Sequence, residues 1–313
     1  MRIIFLTLSF LLTAQSIAES SITIFSQSPH PAVLSSLRRG LDALGFPYKV
    51  NPHLDDTDAT VVILDGLDYL RTMIEFKKNK RIEHLLTGPN MMNRVCDHNR
   101  ILGDPEIDIF FVPSPWVEIA CIEDEPRLAG KIAVWFAGVD VNFWQPAAHD
   151  QKPNVLVYWK TDSESWCIAA EDIIRKYGYN PTRLRYGAYS TDHYKSVLHG
   201  CQFAVFLSRS ESQGVALAEA WAMDVPTFVW NPQAMSAYGK VYNPVSACPY
   251  LTDAQGKDWQ TLEQLDSLVS NFKNNHHSFT PRAWTLEHMT DQHSAQLLLT
   301  IIEELKAKKA LAH

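Results

Sequence analysis

Cysteine is sparse in this chain and never paired. Its five cysteines, Cys96, Cys121, Cys167, Cys201 and Cys248, are scattered over 313 residues, and no two stand at the spacing a zinc site uses. An odd number also gives no disulfide framework. Basic charge is not in surplus either: 28 Lys and Arg face 35 Asp and Glu, a net charge of −7, which excludes a nucleic-acid coat. No apolar run is long enough to cross a bilayer, since the one at residues 3–14 falls short of the roughly 18 to 20 residues a spanning helix needs. Internal repeats and low-complexity tracts are also missing.

What remains is an ordinary globular composition, 46% hydrophobic and 20% charged, on a chain long enough for two domains. Residues 1–18 stand apart: a single Arg2, the apolar run, then Ser16-Ile17-Ala18. This is a signal-peptide pattern with cleavage expected after Ala18. It implies export or the secretory pathway, or a cytoplasmic protein if the segment is not cleaved or the start lies elsewhere. The other reading of the segment is a first buried strand running into a helix, although residues 21–25 already supply a first strand.

Residues 203–232 organise the rest. An apolar run at 203–207 and a β-branched and aromatic run at 227–230 read as buried strands. Between them lie a polar loop, 208–213, and a helix-favouring stretch, 214–223, which Pro226 cannot continue. Strand, helix and strand this close together make a βαβ unit with its ligand site at the carboxyl end of the first strand. Two acids flank that end: Glu211 in the loop and Glu219 in the helix. A rise of about 1.5 Å per residue sets their carboxylates on the order of 8 to 10 Å apart. That exceeds the roughly 5 Å between an acid and nucleophile sharing one sugar carbon, which makes a hydrolytic pair the poorer reading, and it suits two carboxylates gripping different hydroxyls of one extended ligand. Gly214 allows close backbone approach, and the free N–H groups at the helix start, at Val215 and Ala216, suit a phosphate. The plainer reading has Ser210 and Glu211 capping a helix whose acids face water.

The stretch Glu211-Ser212-Gln213-Gly214, four residues, then Glu219-Ala220-Trp221-Ala222 resembles the E-x7-E motif of retaining glycosyltransferases of the GT-B fold, the glycosyltransferase family 4 type. Asp224-Val225-Pro226-Thr227 continues the likeness, and Gly138-Val139-Asp140 with Phe143, Trp144 and Pro146 resembles the family's hinge segment. Pro113-Ser114-Pro115-Trp116 resembles a segment near the end of its first lobe. The resemblance implies two Rossmann-like α/β lobes facing across a cleft. It implies that Glu219 holds the ribose of a nucleotide sugar, that Glu211 contacts the donor sugar near the reacting centre, and that Ser212, Gln213, Gly214 and Val215 meet sugar or diphosphate. Lys160, at the carboxyl end of a strand at 155–158, would neutralise the leaving diphosphate. The family often has Gly-Arg there and a further Lys, whereas this chain has Trp159-Lys160 and no following base before Arg175. Arg185 and Arg209 are the candidates for the missing charge. Thr87, Gly88, Asn90 and Gly138 would border the cleft on the acceptor side. The run Tyr186 to Tyr189 either stacks a base or packs in the core, with core packing preferred.

The expected layout is a leader at 1–18, an acceptor lobe at 19–146, a donor lobe at 147–283 entered by a linker at 147–153, and a C-terminal helical segment at 284–313 crossing back to the first lobe. Asn231 to Tyr250 reads as a loop. The expected activity is transfer of a sugar from a nucleotide-diphosphate donor to a saccharide, lipid-linked or other hydroxyl acceptor with retention, without cofactor or metal, and with peripheral membrane association as an option. Two other readings stay open. A signal peptide before two α/β lobes also describes an exported solute-binding protein, and the incomplete phosphate clamp fits a sugar binder that has lost catalysis.

Overall fold

The computed structural model describes residues 21–27, 32–92, 94–146, 153–160 and 164–311. The leader-like segment and residues 147–152 of the expected linker lie outside them.

The first lobe alternates strand and helix from its start: β1 (Ile22–Phe25), α1 (Ala32–Leu44), β2 (Tyr48–Val50), β3 (Thr60–Ile63), α2 (Leu67–Lys78), β4 (His84–Thr87), the single turn α3 (Asp97–Arg100), β5 (Ile109–Val112), α4 (Pro115–Asp124) and β6 (Ile132–Val134). The strands form one sheet in the order β2-β1-β3-β4-β5-β6, and every pairing is parallel. Parallel strands need helical crossovers, so both faces are covered and the strands read as uninterrupted apolar runs. Val61 and Ile63 sit in the core under α2, whereas Val62 and Leu64 face the opposite layer with Leu37 and Leu41 of α1.

The second lobe repeats the plan: β7 (Asn154–Trp159), α5 (Glu164–Lys176), β8 (Asn180–Arg185), α6 (Thr191–His199), β9 (Cys201–Leu207), α7 (Val215–Ala222) and β10 (Thr227–Trp230). A hairpin, β11 (Met235–Ala237) with β12 (Lys240–Tyr242), follows, then β13 (Gly256–Trp259) and α8 (Leu262–Asn275). The five-stranded sheet runs β13-β10-β9-β7-β8, all parallel. One core lies beneath α6 and α7 and the other beneath α5 and α8.

The chain ends in α9 (Pro281–His288) and α10 (Asp291–Ala310). The expected single helix from Trp284 is thus two, because Thr290 leaves the helical conformation to cap α10, its hydroxyl accepting the His293 N–H. Ala295, Leu298 and Ile302 of α10 pack into the first lobe beside Leu37 and Leu41, so the chain returns to where it began. Val139 bridges to Thr290, and a Cβ on Gly138 would lie 2.4 Å from the Asp291 Cα. Only a glycine lets the hinge run this close to the start of α10.

Candidate active site

Each sheet reverses its winding at one place, β1/β3 in the first lobe and β7/β9 in the second. At such a point neighbouring crossovers leave in opposite directions and open a crevice beyond the carboxyl ends of the strands. Lys160 immediately follows β7 and the loop bearing Glu211 follows β9, so both stand at the crevice of the second lobe. Trp159 is in register with Leu207, and the Lys160 N–H donates to the Leu207 carbonyl at 3.0 Å. The two side chains meet there: Lys160 Nζ lies 2.7 Å from a Glu211 carboxylate oxygen, with both partly buried.

Glu219 lies in the second turn of α7. It is half-buried, and among the described residues it has no charged partner. Burial alone pushes its carboxyl up to about 8. Near it lie Tyr194 of α6 and Tyr189 just before that helix, with Tyr158 of β7 packed against both. Tyr158 and Tyr189 share a hydroxyl contact at 2.8 Å, and Tyr194 donates to the Ala216 carbonyl at 2.7 Å. Burial also pushes Tyr189 up to about 12, and the nearby Glu219 charge adds to that. These phenols keep their protons at neutral pH and can donate hydrogen bonds.

Gly214 caps α7 with φ 82°, ψ 52°, a left-handed conformation in which a side chain is strained. It leads straight into Val215 and the open N–H groups of the first turn. The rest of the loop is held by its neighbours. Gln213 is buried, and its side-chain amide bridges the Ala137 backbone, accepting the N–H at 2.9 Å and donating to the carbonyl at 2.6 Å. That side chain joins the lobes. Ser212 is exposed, its carbonyl accepting from Ser114 at 2.5 Å.

Arg185 ends β8, exposed, with its guanidinium 5.1 Å from the Trp159 ring centroid. Arg209 lies exposed in the loop after β9. Tyr186 is 54% exposed, and Lys160 Nζ lies 4.5 Å from its ring centroid. The preferred core reading of this run therefore fails for Tyr186, because a turn after β8 lifts it out of the sheet, and holds for Tyr189, which packs on Tyr158 and Tyr194.

On the first lobe the structure divides the four expected cleft residues. Thr87 is fully buried, its hydroxyl donating to the Ile63 carbonyl at 3.2 Å, so it belongs to the sheet. Gly88 packs against the Phe111 carbonyl, where a Cβ would stand 2.3 Å away. Gly138 donates its N–H to Ser36 Oγ at 2.7 Å and meets α10. Asn90 alone is exposed. The sequence reading did not single out Asp65. It is buried at the winding reversal of the first lobe and accepts from the Ser26 hydroxyl at 2.6 Å and from the Gln27 N–H. Its signal was a carboxylate placed directly after a buried parallel strand.

All five cysteines are free thiols, and among the described residues no group of His, Cys, Asp or Glu could hold a metal ion. No helix among them is long and apolar enough to cross a membrane.

Comparison of the sequence with known protein families and with curated proteins gives no match. Comparison of the structure gives several. A lipopolysaccharide outer core galactosyltransferase, WaaB in its apo form, aligns with TM-score 0.59 at 10% identity over 91% of this chain and 99% of its own. A sucrose-phosphate synthase from Thermosynechococcus elongatus aligns with TM-score 0.55 at 12% identity over 93% and 100%. The catalytic domain of starch synthase IV from Arabidopsis thaliana, bound to ADP and acarbose, aligns with TM-score 0.52 at 9% identity over 92% and 98%. The chain has the two-lobed GT-B fold of these proteins.

Proposed function

We propose that this protein transfers a sugar from a nucleotide-diphosphate donor to a hydroxyl of a saccharide or lipid-linked acceptor, with retention of configuration. The observation that carries the reading is the Lys160–Glu211 pair at the winding reversal of the second sheet, beside the open N-terminus of α7 and the unpaired Glu219. The fold neighbours, named for galactosyl transfer and for sucrose-phosphate and starch synthesis, support the class.

In this reading the ribose hydroxyls lie against Glu219 and the diphosphate lies at the α7 amides, with Lys160 turning toward it. Glu211, released from Lys160, takes the sugar hydroxyls. The bond between the anomeric carbon and the β-phosphate oxygen breaks, and its electron pair leaves with the diphosphate. The acceptor oxygen bonds to the anomeric carbon, and its proton passes to the departing phosphate oxygen. Lys160 and the helix start stabilise the charge growing on that group, so the scheme routes no step through a metal. Arg185 stands near enough along the strand ends to serve the same charge if it leaves Trp159.

Thermal stabilisation by a panel of nucleoside diphosphates and nucleotide sugars tests this, since a ligand at a hundred times its dissociation constant adds about 2.7 kcal/mol to folding. One nucleotide should stabilise the protein, Glu219→Ala should abolish the shift, and Glu211→Ala should keep it while lowering turnover by about a hundredfold or more. A shift with a free sugar and none with any nucleotide would instead identify a solute-binding protein.

A further inference from the structure

The first lobe reaches across the cleft and holds the loop that carries Glu211. Trp116, in the first turn of α4, donates its indole N–H to the Glu211 carbonyl at 2.9 Å. Ser114, the fully buried residue that precedes α4, donates to the Ser212 carbonyl at 2.5 Å. In the opposite direction, Tyr250 of the second lobe donates to the Pro113 carbonyl at 2.5 Å.

The far end of α4 is gripped as well. Lys240 on the β11–β12 hairpin lies 2.9 Å from Asp124 and 3.0 Å from Glu123, and Tyr242 donates to Asp124 at 2.9 Å. At a rise of about 1.5 Å per residue the two attachments stand roughly 15 Å apart. Two attachments so spaced along one helix resist rotation of the lobes better than either alone.

The Glu211 peptide is therefore held by both lobes. Its N–H donates to the Ser246 carbonyl of its own lobe at 2.9 Å, and its carbonyl is held by Trp116. Swinging the first lobe away removes the second restraint and leaves the loop on one, so the carboxylate loses the setting that puts it 2.7 Å from Lys160.

We propose that Trp116 and Ser114 are positioning residues for Glu211: lobe closure, read through α4, sets the Lys160–Glu211 pair. The catalytic consequence rests on the transferase reading, whereas the positioning itself does not. Trp116→Phe keeps an aromatic ring at this position and removes the N–H donor, and Ser114→Ala removes the hydroxyl.

The test is amide hydrogen exchange of the full chain, read at Glu211 and at Val205 and Phe206 in β9. Exchange at Glu211 should quicken about three- to tenfold in each variant, the range that one hydrogen bond spans, with β9 unchanged and Ser114→Thr restoring the slow rate. Binding of UDP, GDP and ADP by calorimetry should stay within about twofold of wild type. Turnover of the accepted nucleotide sugar should fall in kcat by about tenfold, with its KM unchanged. Unchanged exchange at Glu211 in both variants overturns the inference, and so does equal quickening across β9, which would mean general loosening. If the wild type turns over no nucleotide sugar, the transferase reading fails and the exchange result still decides the positioning.

Discussion

Glu219 combines two properties that rarely coincide in a charged side chain: it is half-buried, and among the described residues nothing opposite in charge meets it. Desolvation favours its neutral form, so its carboxyl is pushed up to about 8 from an ordinary value of 4.5. Between those two pH values the folded protein holds a proton that the unfolded chain has released. Stability therefore falls as pH rises through this window. Glu219→Gln removes the titration and keeps the shape. Urea unfolding should find the variant and wild type similar near pH 4.5 and the variant more stable above pH 8, by on the order of 2 kcal/mol once solvent access to the site is allowed for. Equal stability at both ends of the range would mean that the carboxylate has a partner in solution. A group costly to the fold and standing in the crevice is a candidate for binding. The spacing of Glu211 and Glu219 was legible in the sequence, but the pairing of only one of them was not, because it depends on what β7 and α6 bring alongside.

At the scale of elements, the buried parallel strands were readable and the edges were not. Residues 60–63 and 203–207 are apolar without alternation because both faces are covered. In contrast β8, with the sequence NPTRLR, and β13, with GKDW, lie at the two edges of the second sheet. An edge strand pairs on one side only and tolerates proline and charge, so neither β8 nor β13 carries the uninterrupted apolar run of the central strands. The β11–β12 hairpin was read as loop, since its three-residue strands carry no periodicity and their exposed faces meet the first lobe through Lys240 and Tyr242. The start of α8 is set locally: Thr261 and Gln264 form a capping box in which each side chain accepts the other's backbone N–H. Thr261→Ala should lower the unfolding free energy by about 1 kcal/mol in a urea titration, with no change in any nucleotide-induced shift. A loss of binding would mean that α8 reports to the site.

On the scale of the whole molecule, Arg282 closes the circuit between hinge and second lobe. Its guanidinium donates to the Trp144 carbonyl at 2.8 Å, to the Val141 carbonyl at 3.2 Å and to the Ala222 carbonyl at the end of α7, while its N–H donates to Asp224 at 3.1 Å. One cation thus ties the hinge segment to the C-terminus of the helix that carries Glu219. Arg282→Ala leaves several carbonyls without their charged donor, and it should cost about 2 to 4 kcal/mol of stability, measured by urea unfolding. A change under 0.5 kcal/mol would show that water replaces the guanidinium there.

The sequence by itself determined the two α/β lobes, because uninterrupted apolar strands alternating with amphipathic helices have few other ways to bury their faces. It also determined the hinge glycine and the order Glu211, Gly214, Glu219 along one strand–loop–helix. Only the tertiary structure decided that Lys160 pairs with Glu211, that Thr87 and Gly138 serve packing, that Asp65 stands at the crevice of the first lobe, and that α4 grips the second lobe at both ends. Those contacts join residues from 24 to more than 100 positions apart, and local propensity carries no information about which distant surfaces meet when two lobes close on one another.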